Sequence, residues 1–400
     1  MNPLKLKDNL YWIGVLDSEL RVFDIIMQTE FGTTYNSYLM IGSEKTALFE
    51  TVKLKFYNEY AAGLSGIVNI KDIDYLIVNH TEPDHAGSIG KILEINPEIV
   101  IVGTIGAVSF LKNIVNCEFK NIVVKENDIL SLGGKTIKFL PVPNLHWPDT
   151  MFSYITEDNV LITCDPFGAH YAFDGILRSK LIDVEGYQRA LKYYFENIIG
   201  PYKNPYMTNA LNKIKNFKFD MILPGHGPVL DNHIDEIISQ YENWCSNCNP
   251  NCKKTVVIPY VSAYGYTKSM AFSIADGIKS VGDIEVKLFD MAESSPDMVL
   301  NEITNADGIL FGTPTILGQA LKPVWELTLN MFPAVHGGKL ASAFGNYGWS
   351  GEGVPHIIER LKQLKLTTLD GLRIKLKPSE KELSECYDFG YNFGCTLLKK

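Results

Sequence analysis

Four hundred residues exceed what one hydrophobic core usually holds, so two domains are the first expectation. A hydrophobic fraction of 46% with 11% aromatics is ample for two cores, and a net charge of -9 argues against nucleic acid or an anionic membrane as the main partner. No run of about 18 apolar residues occurs, the first seven residues lack a signal peptide's apolar core, and seven cysteines without framework spacing fit a reducing cytoplasm.

In chain order, strand-like runs at residues 46–49, 74–79, 99–102, 136–140 and 160–164 alternate with helical patterns at 56–64, 89–95 and 186–199. This mixture predicts two sheets packed between helices rather than a barrel. The composition changes between Tyr241 and Lys254, where residues 245–254 are polar, turn-rich and free of hydrophobic period, and these read as a linker. Cys245, Cys248 and Cys252 within it have part of a metal-knuckle spacing but no fourth ligand, so the linker reading is preferred. The expected domains are residues 1–250 and 254–400. Beyond the linker, strands at 255–260, 285–290, 308–312 and 340–345, with a fifth at 366–369 or 372–376, alternate with helices at 268–281, 323–332, 354–364 and 381–398. That alternation predicts a doubly wound parallel sheet.

The first half carries a dense group of metal-capable side chains. His80-Thr81-Glu82-Pro83-Asp84-His85 stands directly behind the apolar run 75–79. In an extended loop His80, Glu82 and Asp84 point to one side, because side chains alternate, while His85 faces the neighbouring direction. One short loop can then serve two adjacent metal ions. His146 follows the strand at 136–140, Asp165 closes the strand at 160–164, and His226 closes the run Met221-Ile222-Leu223-Pro224-Gly225. Seven such groups at strand ends would be costly to bury unpaired, and a metal pair satisfies them together. Four imidazoles and three carboxylates without thiolate suit iron, manganese or zinc, and exceed what one tetrahedral zinc requires. The carboxylate share favours a redox-capable pair bridged by one of them. His170, His233, His336 and His356 read as structural, with His170 near enough to Asp165 to support the site.

This set resembles the metallo-β-lactamase-like domain of flavodiiron proteins, or A-type flavoproteins. Hydrolases of that fold carry His where this chain has Glu82 and usually bind zinc. The resemblance implies an N-terminal αββα metallo-β-lactamase-like sandwich followed by a flavodoxin-like doubly wound sheet. It also implies two non-haem irons per chain: His80, Glu82 and His146 on one, Asp84, His85 and His226 on the other, and Asp165 bridging. The segment Gly32-Thr33-Thr34-Tyr35-Asn36-Ser37-Tyr38 is similar to the family's N-terminal pattern. Many relatives have a histidine ahead of that pattern that reaches the iron pocket, whereas this chain reads Arg21-Val22-Phe23-Asp24-Ile25-Ile26-Met27.

The second half is then expected to hold FMN, and its residues support this independently. Ser262-Ala263-Tyr264-Gly265-Tyr266-Thr267 follows the first strand and opens a helix, a cradle of hydroxyls and backbone amides for a phosphate. The triphosphate Gly-Lys-Ser/Thr and the dinucleotide Gly-x-Gly-x-x-Gly are both missing, which leaves a monophosphate. Pro314-Thr315-Ile316 follows the third strand, and Asn346-Tyr347-Gly348-Trp349, with Gly351, follows the fourth. In the flavodoxin order the first and third strands flank the binding crevice. Tyr347 and Trp349 are the candidates to stack on the flavin ring.

By electron count, a diferrous pair and a reduced FMN give the four electrons that take O2 to two waters, and two electrons suffice to join two NO as N2O. The resemblance implies O2 reduction, NO reduction, or both, as protection in an anaerobic or microaerobic cell. Trp147 and Tyr194 are candidate walls of the reaction pocket. A head-to-tail homodimer, or a dimer of such dimers, is implied, as is a separate electron donor: a rubredoxin, F420H2 or an NADH-linked reductase. Rival readings are a zinc hydrolase fused to a flavodoxin module, a pure electron carrier, and an iron-independent flavin NADH oxidase.

Overall fold

The computed structural model describes residues 2–25, 27–246 and 251–400. It divides into two units between Ser246 and Asn247. In the first, strands Leu4–Lys7, Leu10–Trp12, Tyr38–Ile41 and Thr46–Phe49 run as an antiparallel meander, and Tyr75–Val78, Val100–Gly103 and Lys120–Val123 extend the same sheet in parallel. A second sheet takes Ile129–Ser131, Thr136–Pro141, Met151–Ile155 and Val160–Cys164 antiparallel, with Met221–Pro224 added in parallel. Every residue of Met151–Ile155 and Val160–Cys164 is buried, as mainly apolar strands covered on both faces are, with Ser153 and Thr163 hydrogen-bonded within.

The two sheets meet on Trp12, Phe49, Ile77 and Val102 from the first and Phe139, Met151, Ile162 and Leu223 from the second. Helices Tyr57–Ser65, Ile89–Ile95 and Ile105–Val115 cover the outer face of the first sheet. Helices Val184–Tyr194, Thr208–Ile214 and Ile234–Ser246 cover the second. This is the helix–sheet–sheet–helix sandwich expected.

The linker begins later than its composition suggests. Residues 241–246 complete the helix Ile234–Ser246, because Ile234, Ile237, Tyr241 and Cys245 recur at three- and four-residue spacing and bury one stripe. Cys248 lies outside the described residues, and Cys252 is exposed.

The second unit is a parallel sheet in the order Ile284–Asp290, Lys254–Tyr260, Gly308–Gly312, Leu340–Tyr347 and an edge, the 2-1-3-4-5 flavodoxin order. Both positions considered for the fifth strand are used: Thr367–Thr368 and Leu372–Lys375 pair in turn with Leu340–Tyr347. Tyr266–Lys279 and Glu380–Lys399 pack on one face, and Pro296–Asn305, Lys322–Leu329 and Gly353–Gln363 on the other.

Candidate functional site

All seven candidate ligands of the first unit emerge from the loops at one edge of its two sheets. His80 leaves the end of Tyr75–Val78, and Glu82 follows in extended conformation. Alternation then stops. Pro83 opens the helical turn Pro83–Ala86, its fixed φ suiting the first helical position. Asp84 therefore does not share a side with His80 and Glu82, as an extended loop would require, but turns away together with His85.

The outcome is two adjoining groups. His80, Glu82, His146 and Asp165 form one, and Asp84, His85 and His226 the other, each with ligand atoms within 4.8 Å of one another. In the first, Glu82 Oε2 lies 2.8 Å from His146 Nε2 and 3.3 Å from His80 Nε2. In the second, Asp84 Oδ2 lies 3.0 Å from His226 Nε2 and 3.5 Å from His85 Nε2. Asp165 divides its carboxylate between them. Its Oδ2 is 3.4 Å from His80 Nε2 and 3.3 Å from His146 Nε2, while Oδ1 is 3.2 Å from His85 Nε2 and 3.8 Å from His226 Nε2.

All four imidazoles thus present Nε2, and two are anchored through the opposite nitrogen. His80 Nδ1 lies 3.3 Å from Asp149 Oδ2, which also accepts from the Thr81 amide and hydroxyl at 2.7 and 2.8 Å. His226 Nδ1 donates to the Thr34 carbonyl at 2.6 Å. Such outer bonds fix the tautomer and aim the ring. Sequence reasoning missed both partners. Asp149 left a faint signal, a carboxylate three residues beyond His146, whereas a backbone carbonyl leaves none.

Imidazoles and carboxylates here shift one another's hold on protons. Burial pulls the His146 imidazole down, but bonds to Asp165 and Glu82 outweigh it and raise the group to about 9. His80 and His85 are likewise raised against burial, His80 chiefly by Asp149 and His85 by Asp84. The same imidazoles, His146 first, hold the Asp165 carboxyl well below the usual range although burial acts the other way. Without metal, His80, His85 and His146 therefore hold protons more tightly than free imidazoles, beside carboxylates that give theirs up more readily.

That cluster is incomplete by itself. Asp84 Oδ1 and His85 Nδ1 are buried without a hydrogen-bond partner, and Asp84 Oδ2 and Asp165 Oδ2 meet imidazoles only at ion-pair distance, without a well-directed hydrogen bond. Buried carboxylate oxygens left short of hydrogen bonds are disfavoured, and two divalent cations between the groups would complete them. The donor set fits such a pair. Cys164 Sγ also lies within reach of His85 and Asp165, and burial raises its thiol well above the ordinary range.

Around this centre, Trp147 stands edge-on to His80 at 5.2 Å and lines a cleft of about 420 Å³ with Phe110, Asn144, His146, Pro148 and Tyr202. Tyr194 is placed differently. Its hydroxyl donates to Asp165 Oδ1 at 2.9 Å and its ring packs on His170 and His226, behind the shared carboxylate rather than in the cleft. His170 accompanies the second group, its ring 5.1 Å from that of His226 and its Nδ1 2.9 Å from Thr33 Oγ1.

In the second unit, residues 262–265 form the turn between Lys254–Tyr260 and the helix Tyr266–Lys279, with Gly265 at φ +79°. Ser262 Oγ accepts from the Lys268 amide at 3.1 Å. Thr267 Oγ1 donates to Asn346 Oδ1 at 2.7 Å, and the Thr315 amide to the Asn346 carbonyl at 2.8 Å, so the three candidate loops are tied through Asn346. Pro314 and Ile316 flank Thr315 in the second of these loops, and Tyr347 ends the strand Leu340–Tyr347 with its ring against Gly351. Ala263 and Gly348 lie in the turns themselves, while Tyr264 and Trp349 are 78% and 97% exposed beside the crevice. Hydroxyls, amides at a helix start and open aromatic side chains suit a flavin monophosphate. The loops approach closely, since a Cβ at Gly345 would fall 1.8 Å from the Thr313 carbonyl oxygen. Gly345→Ala is therefore expected to part them and abolish flavin retention while metal content stays unchanged, read as flavin absorbance per chain after desalting.

Comparison with known proteins agrees with both halves. The model of the ODP family beta lactamase matches residues 33–227, and the flavodoxin model matches residues 258–390. The flavo-diiron protein FprA2 of Clostridium acetobutylicum is 38% identical over 99% of this chain and 100% of its own length. The chain belongs to the flavodiiron protein family. A nitric oxide reductase of Moorella thermoacetica is 35% identical, covering 99% of each chain. Among solved structures, the rubredoxin oxygen:oxidoreductase of the anaerobe Desulfovibrio gigas superposes with a TM-score of 0.69 at 27% identity, over 100% of this chain and 99% of that one. Flavodiiron proteins are oxidoreductases, with FMN in the flavodoxin-like unit and a non-haem diiron site in the β-lactamase-like unit.

Proposed function

We propose that His80, Glu82 and His146 hold one iron, Asp84, His85 and His226 a second, and Asp165 both, and that the chain reduces O2 to water, NO to N2O, or both. The division of the two Asp165 oxygens between the two histidine groups carries this reading. When bound, the iron pair and FMN supply four electrons, with four protons, to turn one O2 into two waters, or two electrons, with two protons, to turn two NO into N2O and water.

The chain's own residues prepare that chemistry. Asp149 and the Thr34 carbonyl orient the His80 and His226 rings. Tyr194, whose burial raises its phenol well above the ordinary range, keeps its proton and donates it as a hydrogen bond to Asp165. Trp147, Phe110 and Tyr202 give the cleft at His146 an aromatic wall that suits small, weakly polar gases.

The relatives named for nitric oxide and for oxygen support both substrates. A separate donor supplies the electrons: rubredoxin, as the name of the oxygen-reducing neighbour suggests, F420H2 or an NADH-linked reductase. The family resemblance implies a head-to-tail homodimer, or a dimer of such dimers, in which one subunit's flavin serves its partner's irons. No helix among the described residues is long and apolar enough to cross a membrane. We place the enzyme in the cytoplasm of an anaerobe, removing O2 or NO.

The test is anaerobic reduction of iron- and FMN-loaded protein followed by separate O2 and NO electrode traces. Consumption of either gas without peroxide release is expected. Fast O2 loss marks an oxygen reductase, and faster NO loss with N2O formed marks a nitric oxide reductase. If neither gas is consumed, the reading fails and the zinc hydrolase alternative replaces it.

A further inference from the structure

The seven candidate ligands come from two different sheets. His80, Glu82, Asp84 and His85 follow Tyr75–Val78 of the first, whereas His146, Asp165 and His226 follow Thr136–Pro141, Val160–Cys164 and Met221–Pro224 of the second. The sheets meet on apolar side chains, whose burial is favourable but non-directional. Such contacts do not by themselves hold one sheet's ligands to within the roughly 0.5 Å of the other's that a metal site requires. His226 needs the most help, because it lies between Gly225 and Gly227, whose backbones have the widest freedom.

Polar bonds across the gap supply the missing direction. Residues 34–38, which lead into Tyr38–Ile41 of the first sheet, grip residues 224–227 at the end of the second. The Asn36 amide donates to the Gly225 carbonyl at 2.9 Å, Tyr38 Oη to the Pro224 carbonyl at 2.6 Å, and the Gly227 amide to Thr34 Oγ1 at 2.7 Å. The Asn36 side chain, fully buried, stands at the centre. Its Nδ2 donates to the Pro224 and Gly227 carbonyls, both at 2.9 Å, and so spans His226 from either side. Its Oδ1 accepts from Trp12 Nε1 at 2.9 Å. An indole only donates and a carbonyl only accepts, so these three partners leave the amide one orientation.

We propose that Asn36 is a positioning residue for the second half-site: by clamping the carbonyls on either side of His226, it sets that ligand against Asp84 and His85 of the other sheet. The proposal rests on the two-metal reading above. The side chain of Asn36 is spent on Trp12, Pro224 and Gly227, so it acts through the backbone of 224–227, while the Thr34 carbonyl aims the His226 ring. Without the amide each carbonyl keeps another donor, Tyr38 Oη at Pro224 and Thr34 Oγ1 at Gly227, so neither is orphaned.

Metal-free protein titrated anaerobically with Co2+, followed by its visible d–d bands, tests this. His226→Ala marks the bands of the second ion. Asn36→Ala is expected to bind the first ion as wild type does and the second about 10-fold more weakly, with changes confined to those bands; this is the lower range for outer partners of metal ligands. Trp12→Phe keeps an aromatic ring but removes the N–H that orients the amide, and is expected to change the same bands less. If Asn36→Ala does not fold, Trp12→Phe decides alone. Leu64→Ala, in the core beneath the helix Tyr57–Ser65, is the control: its melting temperature is expected to fall while both ions bind as in wild type. Unchanged binding in Asn36→Ala and Trp12→Phe, equal weakening of both ions, or the same band changes in Leu64→Ala overturns the role of Asn36 while the two-metal reading stands. If wild type itself fails to bind a pair, that reading falls first and the proposal falls with it.

Discussion

Asp165→Ala is expected to empty both half-sites at once. The side chain lies within reach of all four imidazoles, and its two oxygens serve different groups. Its loss removes the shared anion rather than one ligand of seven. Iron affinity should fall by more than about 100-fold, the upper range for removing even an outer partner of a metal ligand. Gas reduction should fall with it, whereas FMN content should not, because the flavin loops belong to the other unit. The metal-free variant should also be less stable, since buried imidazolium groups lose their counter-charge. Breaking a buried pair in this way costs about 3–5 kcal/mol. Asp165→Asn keeps the shape and one acceptor oxygen, so its thermal stability should fall less while iron is still lost. Metal analysis, flavin absorbance and melting temperature on the same preparation check all three expectations. Retention of two irons by Asp165→Ala would contradict the sharing of that carboxylate.

The second large effect is an opposite response to pH with and without metal. In the metal-free protein His146 titrates at about 9, and His80 and His85 are also raised. An unfolded histidine titrates near about 6.5. A group raised on folding contributes stability that is fully present below its unfolded value and is lost as pH rises through the folded one. Metal-free protein should therefore lose stability between about pH 6.5 and 9. Glu82, Asp84 and Asp165 are depressed, so their contribution is present above their unfolded values and disappears as pH falls through the folded ones. Metal requires neutral imidazole, and its binding releases the protons those rings carry. Its affinity should accordingly rise over the same interval in which the metal-free protein weakens. Melting curves of stripped and loaded protein should diverge as pH increases. Calorimetry in buffers of different ionisation enthalpy should show proton release on binding at pH 7. Parallel melting curves and no proton release would show that the histidines are neutral before metal arrives.

Much of this was legible in the sequence because each ligand stands where an apolar run ends. His80, Asp165 and His226 follow strands whose inner residues are wholly buried, so the polar residue that ends each run had to face a loop edge. The alternation rule failed at Asp84 because it describes extended chain, and Pro83 begins a helical turn there. The helix Ile234–Ser246 outran its apparent end because Tyr241 and Cys245 keep its apolar spacing among polar neighbours. The edge strand resisted a single choice because it is interrupted, pairing once before and once after Gly371. The Thr34 carbonyl left no trace, and Asp149 only a faint one, for a different reason. Each acts through a contact between segments far apart in the chain, which no local pattern encodes.

X-ray absorption at the iron edge, with iron and flavin counted per chain, tests the central claim most directly. Two irons and one FMN per chain are expected, with an iron–iron separation of about 3.5–4 Å as in two-metal sites and nitrogen and oxygen neighbours without sulfur. One zinc per chain, or iron with no second iron in its scattering shell, would contradict the account.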